Sequence, residues 1–149
     1  MAAARVAVEN LSKRYRVDAR IVAGVAKKVL KEVRPGDGID IEVRFVDDGP
    51  MRRLNKRFKG RDRSTDVLSF DLDGFGSIAI SLDAARRNAK VFGTPVYKEA
   101  LRYVIHGILH MSGYDDDTAA RRKRMAAKEE RLLWTICADF DLSKALTRL

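Results

Sequence analysis

The sequence predicts a single α+β domain in which a small mixed β-sheet of about four strands packs with about five helices. Short alternating apolar segments occur beside longer stretches of helical periodicity, which is the pattern of this fold class. No linker, repeat or low-complexity tract divides the 149 residues, so we expect one domain covering 1–149. With 46% hydrophobic residues the chain can bury a core, which excludes global disorder.

The N-terminal third is predicted to form a strand, a helix and a second strand. Residues 4–9 alternate apolar and polar side chains, as a half-buried strand does. Asp18 is a suitable N-cap for the helix, and Pro35 begins the turn that follows it. The apolar face of this helix consists of Ile21, Val22, Val25, Val29 and Leu30. The second strand is indicated by the alternating residues Ile39, Ile41, Val43 and Phe45.

The middle of the chain is predicted to form a helix followed by two strands. Asp47 or Asp48 would cap the helix, and Gly60 would end it. Its inner face is predicted to contain Met51, Leu54 and Phe58, at the spacing i, i+3, i+7. Two strand candidates follow at 67–70 and 77–81, with a loop between them.

Three helices are predicted for the rest of the chain. Ser81 begins the first, which ends at Gly93. Thr94 as N-cap and Pro95 in the first turn begin the second, which is strongly apolar. The third covers about 118–138, and its inward residues are predicted to be Met125, Leu132, Leu133 and Ile136.

Charge and cysteine content exclude several classes of protein. The single cysteine, Cys137, cannot form an intramolecular disulfide, which fits a reducing cytoplasm. No apolar run approaches the roughly 18 residues of a membrane span, and Arg5 and Glu9 interrupt any signal-peptide core. We therefore expect a cytoplasmic protein with no membrane partner. The formal net charge of +9 favours a partner that carries phosphate, because neutralised phosphates release counterions.

The two histidines of the chain, His106 and His110, carry the strongest chemical signal. At the spacing i, i+4 they project from the same side of the predicted helix. Two imidazoles at this spacing are the helical half of many zinc sites, although polar residues that only reach solvent would show the same spacing. Gly107 occupies the position of glutamate in the HExxH motif, which argues against a zinc protease.

Three consecutive aspartates follow the histidine pair after the turn at Gly113. They are Asp115, Asp116 and Asp117. A carboxylate at this place could complete a metal site of two histidines and one carboxylate. The same aspartates could instead cap the last helix, because anions favour helix N-termini. Both interpretations can hold for different members of the run.

Two segments resemble the YbeY family of bacterial endoribonucleases and rRNA-maturation factors. The family signature HGxLHLxGYDH is similar to HGILHMSGYDD at residues 106–116. The family segment LNxxYRGxDxPTDVLSFP is similar to LNKRFKGRDRSTDVLSF at residues 54–70. The order and separation of the two motifs also agree, so the resemblance covers essentially the whole chain.

The resemblance implies an α+β fold with a small mixed sheet, a zinc ion held by three histidines, and action on single-stranded RNA. His106 and His110 match the first two ligands, and the third falls on Asp116. Another divalent metal is possible, since a carboxylate shifts preference toward harder cations. The arginine of the family's YRG, a residue regarded as important for activity, falls on Lys59.

The resemblance also implies a cellular role. That role is rRNA maturation, including processing of the 3′ end of 16S rRNA, and ribosome quality control. The implied partners are rRNA, the small ribosomal subunit and its assembly factors, and no DNA partner is expected.

A basic run lies between residues 52 and 63, where Asp62 is the only acid. Because the predicted helix buries its apolar face, we expect most of these cations to point outward. A run of charges almost all of one sign favours contact with phosphate over a face that is only solvated. The predicted RNA-binding residues are Arg52, Arg53, Lys56, Arg57, Lys59, Arg61 and Arg63. Phe92 and Trp134 are expected to be core residues rather than platforms on which bases stack.

The predicted function is a metal-dependent, single-strand-specific endoribonuclease. Lys59, His106 and His110 are its predicted catalytic residues, and the predicted metal ligands are His106, His110 and Asp116. The alternative is a non-catalytic ribosome-assembly factor that binds RNA through the basic run. A metal-dependent hydrolase of a small molecule would leave the basic run unexplained.

Overall fold

The computed structural model describes residues 4–36, 38–139 and 141–149. Its main sheet consists, in spatial order, of β1 (Val6–Asn10), β3 (Asp40–Val46), β5 (Phe75–Ser81) and β4 (Val67–Leu72). The first two pairings, β1 with β3 and β3 with β5, are parallel, and β4 pairs antiparallel with β5. The predicted α+β class and the mixed sheet of four strands are therefore confirmed.

A second, two-stranded sheet was not expected from the sequence. It joins β2 (Tyr15–Val17) to β6 (Leu146–Arg148) in antiparallel register, with Tyr15 opposite Arg148. The Asp18 N–H donates to the carbonyl of Ala145, which extends the ladder at one end. Each strand has only three residues, too few for alternation of apolar and polar side chains to reveal it.

Five helices occur among the described residues, in agreement with the prediction. They are α1 (Ala19–Val33), α2 (Asp48–Lys59), α3 (Leu82–Phe92), α4 (Val96–Met111) and α5 (Ala119–Asp139). Asp18 and Ser81 cap α1 and α3 as predicted, because their side chains accept backbone N–H groups of the first turn. The predicted start of α4 is wrong by one residue: Pro95 is the N-cap, and the Thr94 hydroxyl donates to Glu99. In the described residues no helix combines the length and hydropathy that crossing a bilayer requires.

Strand alternation gives the sheet two buried faces. The main core lies on the face covered by α1 and α4 and includes Ile41, Val43, Phe45, Ile78 and Ile80. The small core lies on the opposite face, where α2 packs, and consists of Val46, Met51, Leu68 and Ala79. On the main face α4 approaches β5 closely, because a Cβ on Gly107 would lie 2.8 Å from Ile78 Cγ2. Gly107 therefore serves helix–sheet packing.

Three predictions about aromatic side chains are wrong. Phe58 is 54% exposed, and Asn55 takes the inner position on α2, where its amide donates to the Arg63 carbonyl at 2.9 Å. Phe92 and Trp134 are 67% and 77% exposed, because they lie on the outer sides of α3 and α5. These three rings are therefore surface groups.

The loop predicted between β4 and β5 is a two-residue hairpin turn. Asp73 and Gly74 both have positive φ, 42° and 85°, which is the geometry that matches the twist of a tight hairpin. Leu72 pairs directly with Phe75, so both strands extend into the segment that was expected to be a loop. Strand β4 is the outermost strand of the main sheet on this side.

Candidate metal centre and basic surface

His106 is held in place by a buried carboxylate from another helix. Its Nδ1 lies 2.9 Å from Oε2 of Glu129 on α5, and Glu129 is only 8% exposed. When the Nδ1–H donates to this carboxylate, Nε2 is the ring nitrogen available to a metal ion. This carboxylate–imidazole arrangement is common around metal-ligating histidines.

Charges around His106 favour a cation at the ring. Burial would lower the pKa of His106, but the hydrogen bond to Glu129 and the charges of Glu129, Asp66 and Asp116 outweigh it, so the pKa is raised. Arg102 lies 3.9 Å from the other carboxylate oxygen of Glu129 and forms an ion pair with it. The same negative field that retains a proton would also attract a divalent cation.

His110 is oriented by the turn that ends α4. Its Nδ1 lies 2.9 Å from the carbonyl oxygen of Tyr114, and 3.8 Å from Oδ1 of Asp115. Gly113 has a φ of 95°, a conformation that side chains disfavour, and it returns the chain toward the histidine. Both histidines therefore have Nδ1 engaged by oxygen, which leaves Nε2 of each as the nitrogen available to a metal ion.

A cluster of possible metal ligands lies at the end of α4. Within the described ranges, ligand atoms of His110, Asp115 and Asp116 lie within 4.8 Å of one another. This acidic cluster brings together two of the three predicted ligands and adds Asp115. His106 lies one helical turn away, with its ring centroid 6.3 Å from that of His110. Imidazole nitrogen and carboxylate oxygen are suitable donors for a divalent cation, so the residues present fit a metal.

The helix-capping role left open for the aspartates belongs to Thr118. Its hydroxyl accepts the N–H of Arg121 at 3.1 Å, at the start of α5. Asp117 instead forms an ion pair with the Arg121 side chain at 3.0 Å. A cavity of about 410 Å³ opens beside the acidic cluster, lined by Gly113, Tyr114, Asp115, Arg121 and Arg124.

All seven cations of the basic run are exposed, as predicted. Arg52 binds Asp62 at 2.8 Å, and Lys56 Nζ lies 4.0 Å from the same carboxylate. Asp62 therefore offsets part of the charge of the run, and most of its positive charge faces solvent.

The segment after α2 connects the basic run to the histidines. Asp48 accepts hydrogen bonds from Ser64 at 2.8 Å and Ser81 at 3.0 Å. It also accepts from Arg87, and this bond lowers the pKa of Asp48 to about 2. Asp66, two residues after Ser64, is close enough for its charge to raise the pKa of His106. The segment 61–66 thus leads from the α2 side of the sheet toward the α4 side.

Lys59 lies on the small-core side of the sheet. Its Nζ is 5.6 Å from the centroid of the Phe70 ring. Among the residues described, no contact joins Lys59 to His106 or His110. Its catalytic role stays a prediction, as do the roles of the other predicted site residues.

Glu129 is the site residue that the sequence analysis missed. It lies four residues after Met125 and three before Leu132, which places a carboxylate in the apolar stripe of α5. A charged residue at a core position is a signal, because such a group is rarely buried without a partner. The signal was present in the sequence and could have been paired with a histidine on the neighbouring helix.

The family model described as Endoribonuclease YbeY matches residues 7–136. The chain belongs to the YbeY family. A curated relative named Endoribonuclease YbeY from Pelotomaculum thermopropionicum is 35% identical over 143 residues, covering 86% of this chain and 94% of the relative. Another of that name, from Caldanaerobacter subterraneus, is 35% identical over 132 residues, covering 76% and 84%.

One further YbeY relative and one solved structure are similar to this chain. The relative from Myxococcus xanthus is 41% identical over 106 residues, which are 64% of this chain but only 36% of that longer protein. The solution structure of TM1509 from Thermotoga maritima superposes with a TM-score of 0.65 at 29% identity, covering 90% of each chain. The fold described above is therefore shared with a solved protein, and the YbeY relatives are named as endoribonucleases, enzymes that cut RNA internally.

Proposed function

We propose that this chain is a metal-dependent, single-strand-specific endoribonuclease that acts in rRNA maturation as one domain. Membership of the YbeY family supports the reaction class. The observation that carries the proposal within the structure is the pairing of His106 with the buried Glu129. A buried carboxylate that fixes the tautomer of an imidazole beside further carboxylates is an arrangement suited to holding a metal ion.

The proposed metal is one zinc ion held by His106, His110 and Asp116, with Asp115 close to the same place. Three protein ligands leave an open position, as catalytic zinc sites do, and the aspartate also suits other divalent metals. When bound, such an ion lowers the pKa of water and polarises a phosphate. Glu129 and the Tyr114 carbonyl orient the two imidazoles for this task.

The substrate would be held by the basic surface. We propose that Lys59 and the arginines of the basic run bind phosphates of single-stranded RNA on either side of the scissile bond. Arg121 and Arg124 line the cavity beside the acidic cluster and can take a further phosphate. The proposed substrate is rRNA of the small ribosomal subunit in the cytoplasm, with the assembly factors of that subunit as partners.

Metal binding is tested by titrating the purified protein with zinc against a competing chelator. Asp116→Ala should weaken zinc binding at least tenfold with the fold retained, whereas Asp116→His should retain or strengthen it. Asp117→Ala is the matched control, because this neighbouring aspartate pairs with Arg121 instead. Equal zinc affinity in the wild type and Asp116→Ala would contradict the proposed ligand set.

A non-catalytic assembly factor is the second candidate, and one observation favours it. The basic run starts on α2, on the opposite face of the sheet from α4, so RNA could bind there without engaging the histidines. Labelled single-stranded RNA incubated with and without chelator separates the two functions. Cleavage that stops with chelator and in His110→Ala supports the nuclease. Salt-sensitive binding without cleavage supports the assembly factor.

A further inference from the structure

Two phenylalanines form an exposed aromatic pair at the C-terminal end of α2. Phe58 lies in the last turn of the helix, on the flank that meets strand β4, and Phe70 lies on that strand. Their ring centroids are 5.2 Å apart with the planes inclined at 60°. Phe70 is half-buried against the small core, whereas Phe58 stands above it and is 54% exposed. The small core thus supports the pair through Phe70, and more than half of Phe58 is accessible to solvent.

The aromatic pair differs from other exposed rings because cations adjoin it. The Arg57 guanidinium lies over the Phe58 ring, 5.3 Å from its centroid, and Lys59 Nζ lies over the Phe70 ring, 5.6 Å from its centroid. Within the described part of the chain, no such ring or cation contact occurs at Phe92, which is also exposed. A large apolar ring that stays exposed indicates a binding site more strongly than a buried ring does. Here the exposed ring lies among the cations of the basic run, which can bind phosphate.

We propose that the aromatic pair is a stacking subsite for an unpaired base of RNA, with Arg57 and Lys59 binding the phosphates on either side of that base. Every base has a flat face that can stack on an aromatic side chain, so the subsite needs no particular sequence. Bases inside a duplex are already stacked on their neighbours and cannot enter it. The subsite therefore provides selection for single strands, and this inference rests on the proposed function.

The position of β4 shows how one RNA chain can occupy both the subsite and the metal centre. Successive residues of a strand face opposite sides of the sheet, so Ser69 faces the α4 side while Phe70 faces the α2 side. Because β4 is the outermost strand, RNA can pass around this edge along the segment 61–66. The stacked base would lie outside the reacting nucleotide, and the aromatic pair is a binding rather than a catalytic element.

Binding of two fluorescein-labelled probes tests the proposal. One probe is a single-stranded oligoadenylate, and the other has the same length and charge but lacks its bases; chelator is present to stop cleavage. Phe58→Ala and Phe58→Leu should weaken binding of oligoadenylate about tenfold, the loss expected for one stacked base. Phe58→Tyr, which keeps the ring, should bind as the wild type does, and so should the control Phe92→Ala.

The abasic probe distinguishes a loss of base stacking from a loss of charge contacts or from misfolding of a variant, because it keeps the phosphates but has no bases to stack. All variants should bind this probe equally and more weakly than the wild type binds oligoadenylate. Wild-type affinity for oligoadenylate in Phe58→Leu would overturn the subsite, and so would an equal loss on both probes in that variant. A wild type that cleaves RNA while Phe58→Leu binds normally refutes the subsite alone. A wild type that binds neither probe refutes the proposed function as well.

Discussion

Replacing Gly107 by alanine measures how closely α4 approaches the sheet. Alanine in a helix is favoured over glycine by about 1 kcal/mol, so Gly107→Ala would stabilise the protein if there were space for the added Cβ. The added Cβ would instead lie 2.8, 3.0 and 3.2 Å from three side-chain atoms of Ile78. Such overpacking costs roughly 1–3 kcal/mol. We expect Gly107→Ala to lower the free energy of unfolding by up to about 2 kcal/mol.

The chain supplies a matched control for this substitution. Gly24 lies inside α1, and a Cβ there would meet no atom within 4 Å, so Gly24→Ala should stabilise by about 1 kcal/mol. The measurement is urea denaturation followed by circular dichroism, with the slope m checked for constancy. In an Ile78→Ala background the clashing atoms are gone, and Gly107→Ala should no longer destabilise. Equal stabilisation by Gly24→Ala and Gly107→Ala would refute the close approach of α4 to β5.

Three further predictions concern the metal centre, acid stability and a helix cap. Glu129→Gln should weaken zinc affinity about 10- to 100-fold, and the exposed Glu130→Gln should not, as measured by competition with a chelator. The pKa of Asp48 is about 2 in the folded protein against an ordinary 3.8, so its ion pair stabilises above about pH 4 and is lost as the pH falls toward 2. Between about pH 4 and pH 2, the free energy of unfolding of Asp48→Asn should therefore fall by about 1 kcal/mol less than that of the wild type, as measured by urea denaturation at each pH. This value is smaller than the full pKa shift would give, because Asp48 is partly exposed. Thr118→Ala should cost about 1 kcal/mol of stability, whereas Asp117→Ala should change it by less than about 0.5 kcal/mol.

Most helices could be predicted because their ends are encoded locally. Asp18, Ser81 and Gly93 act within one turn of the backbone they cap, so sequence alone identifies them. The prediction that Phe58 is buried was wrong because helical periodicity gives the angle between side chains around the helix axis but not the limits of the buried face. Asn55 occupies that sector through a hydrogen bond to a loop that periodicity does not describe.

The candidate site was predictable to the extent that its residues are close in the chain. His106, His110 and Asp116 lie within one motif, and the structure places Asp116 beside His110 as the spacing predicts. Glu129 was not found, because its relation to His106 depends on how α5 packs on α4. The aromatic pair likewise joins α2 to β4 through the small core, which no local pattern reveals.

The short ribbon of β2 and β6 sets a condition on the timing of folding. Tyr15 pairs with Arg148, so this contact closes a loop of about 130 residues, and contacts of such separation form late. During synthesis on the ribosome, β2 has no partner until β6 has emerged from the exit tunnel. The other elements can pack earlier, and the segment between β1 and α1 is then held by Ser12 and Lys13, which donate hydrogen bonds to Asp47, but β2 still lacks its partner strand. A nascent copy that stops before residue 146 therefore keeps β2 without its partner strand.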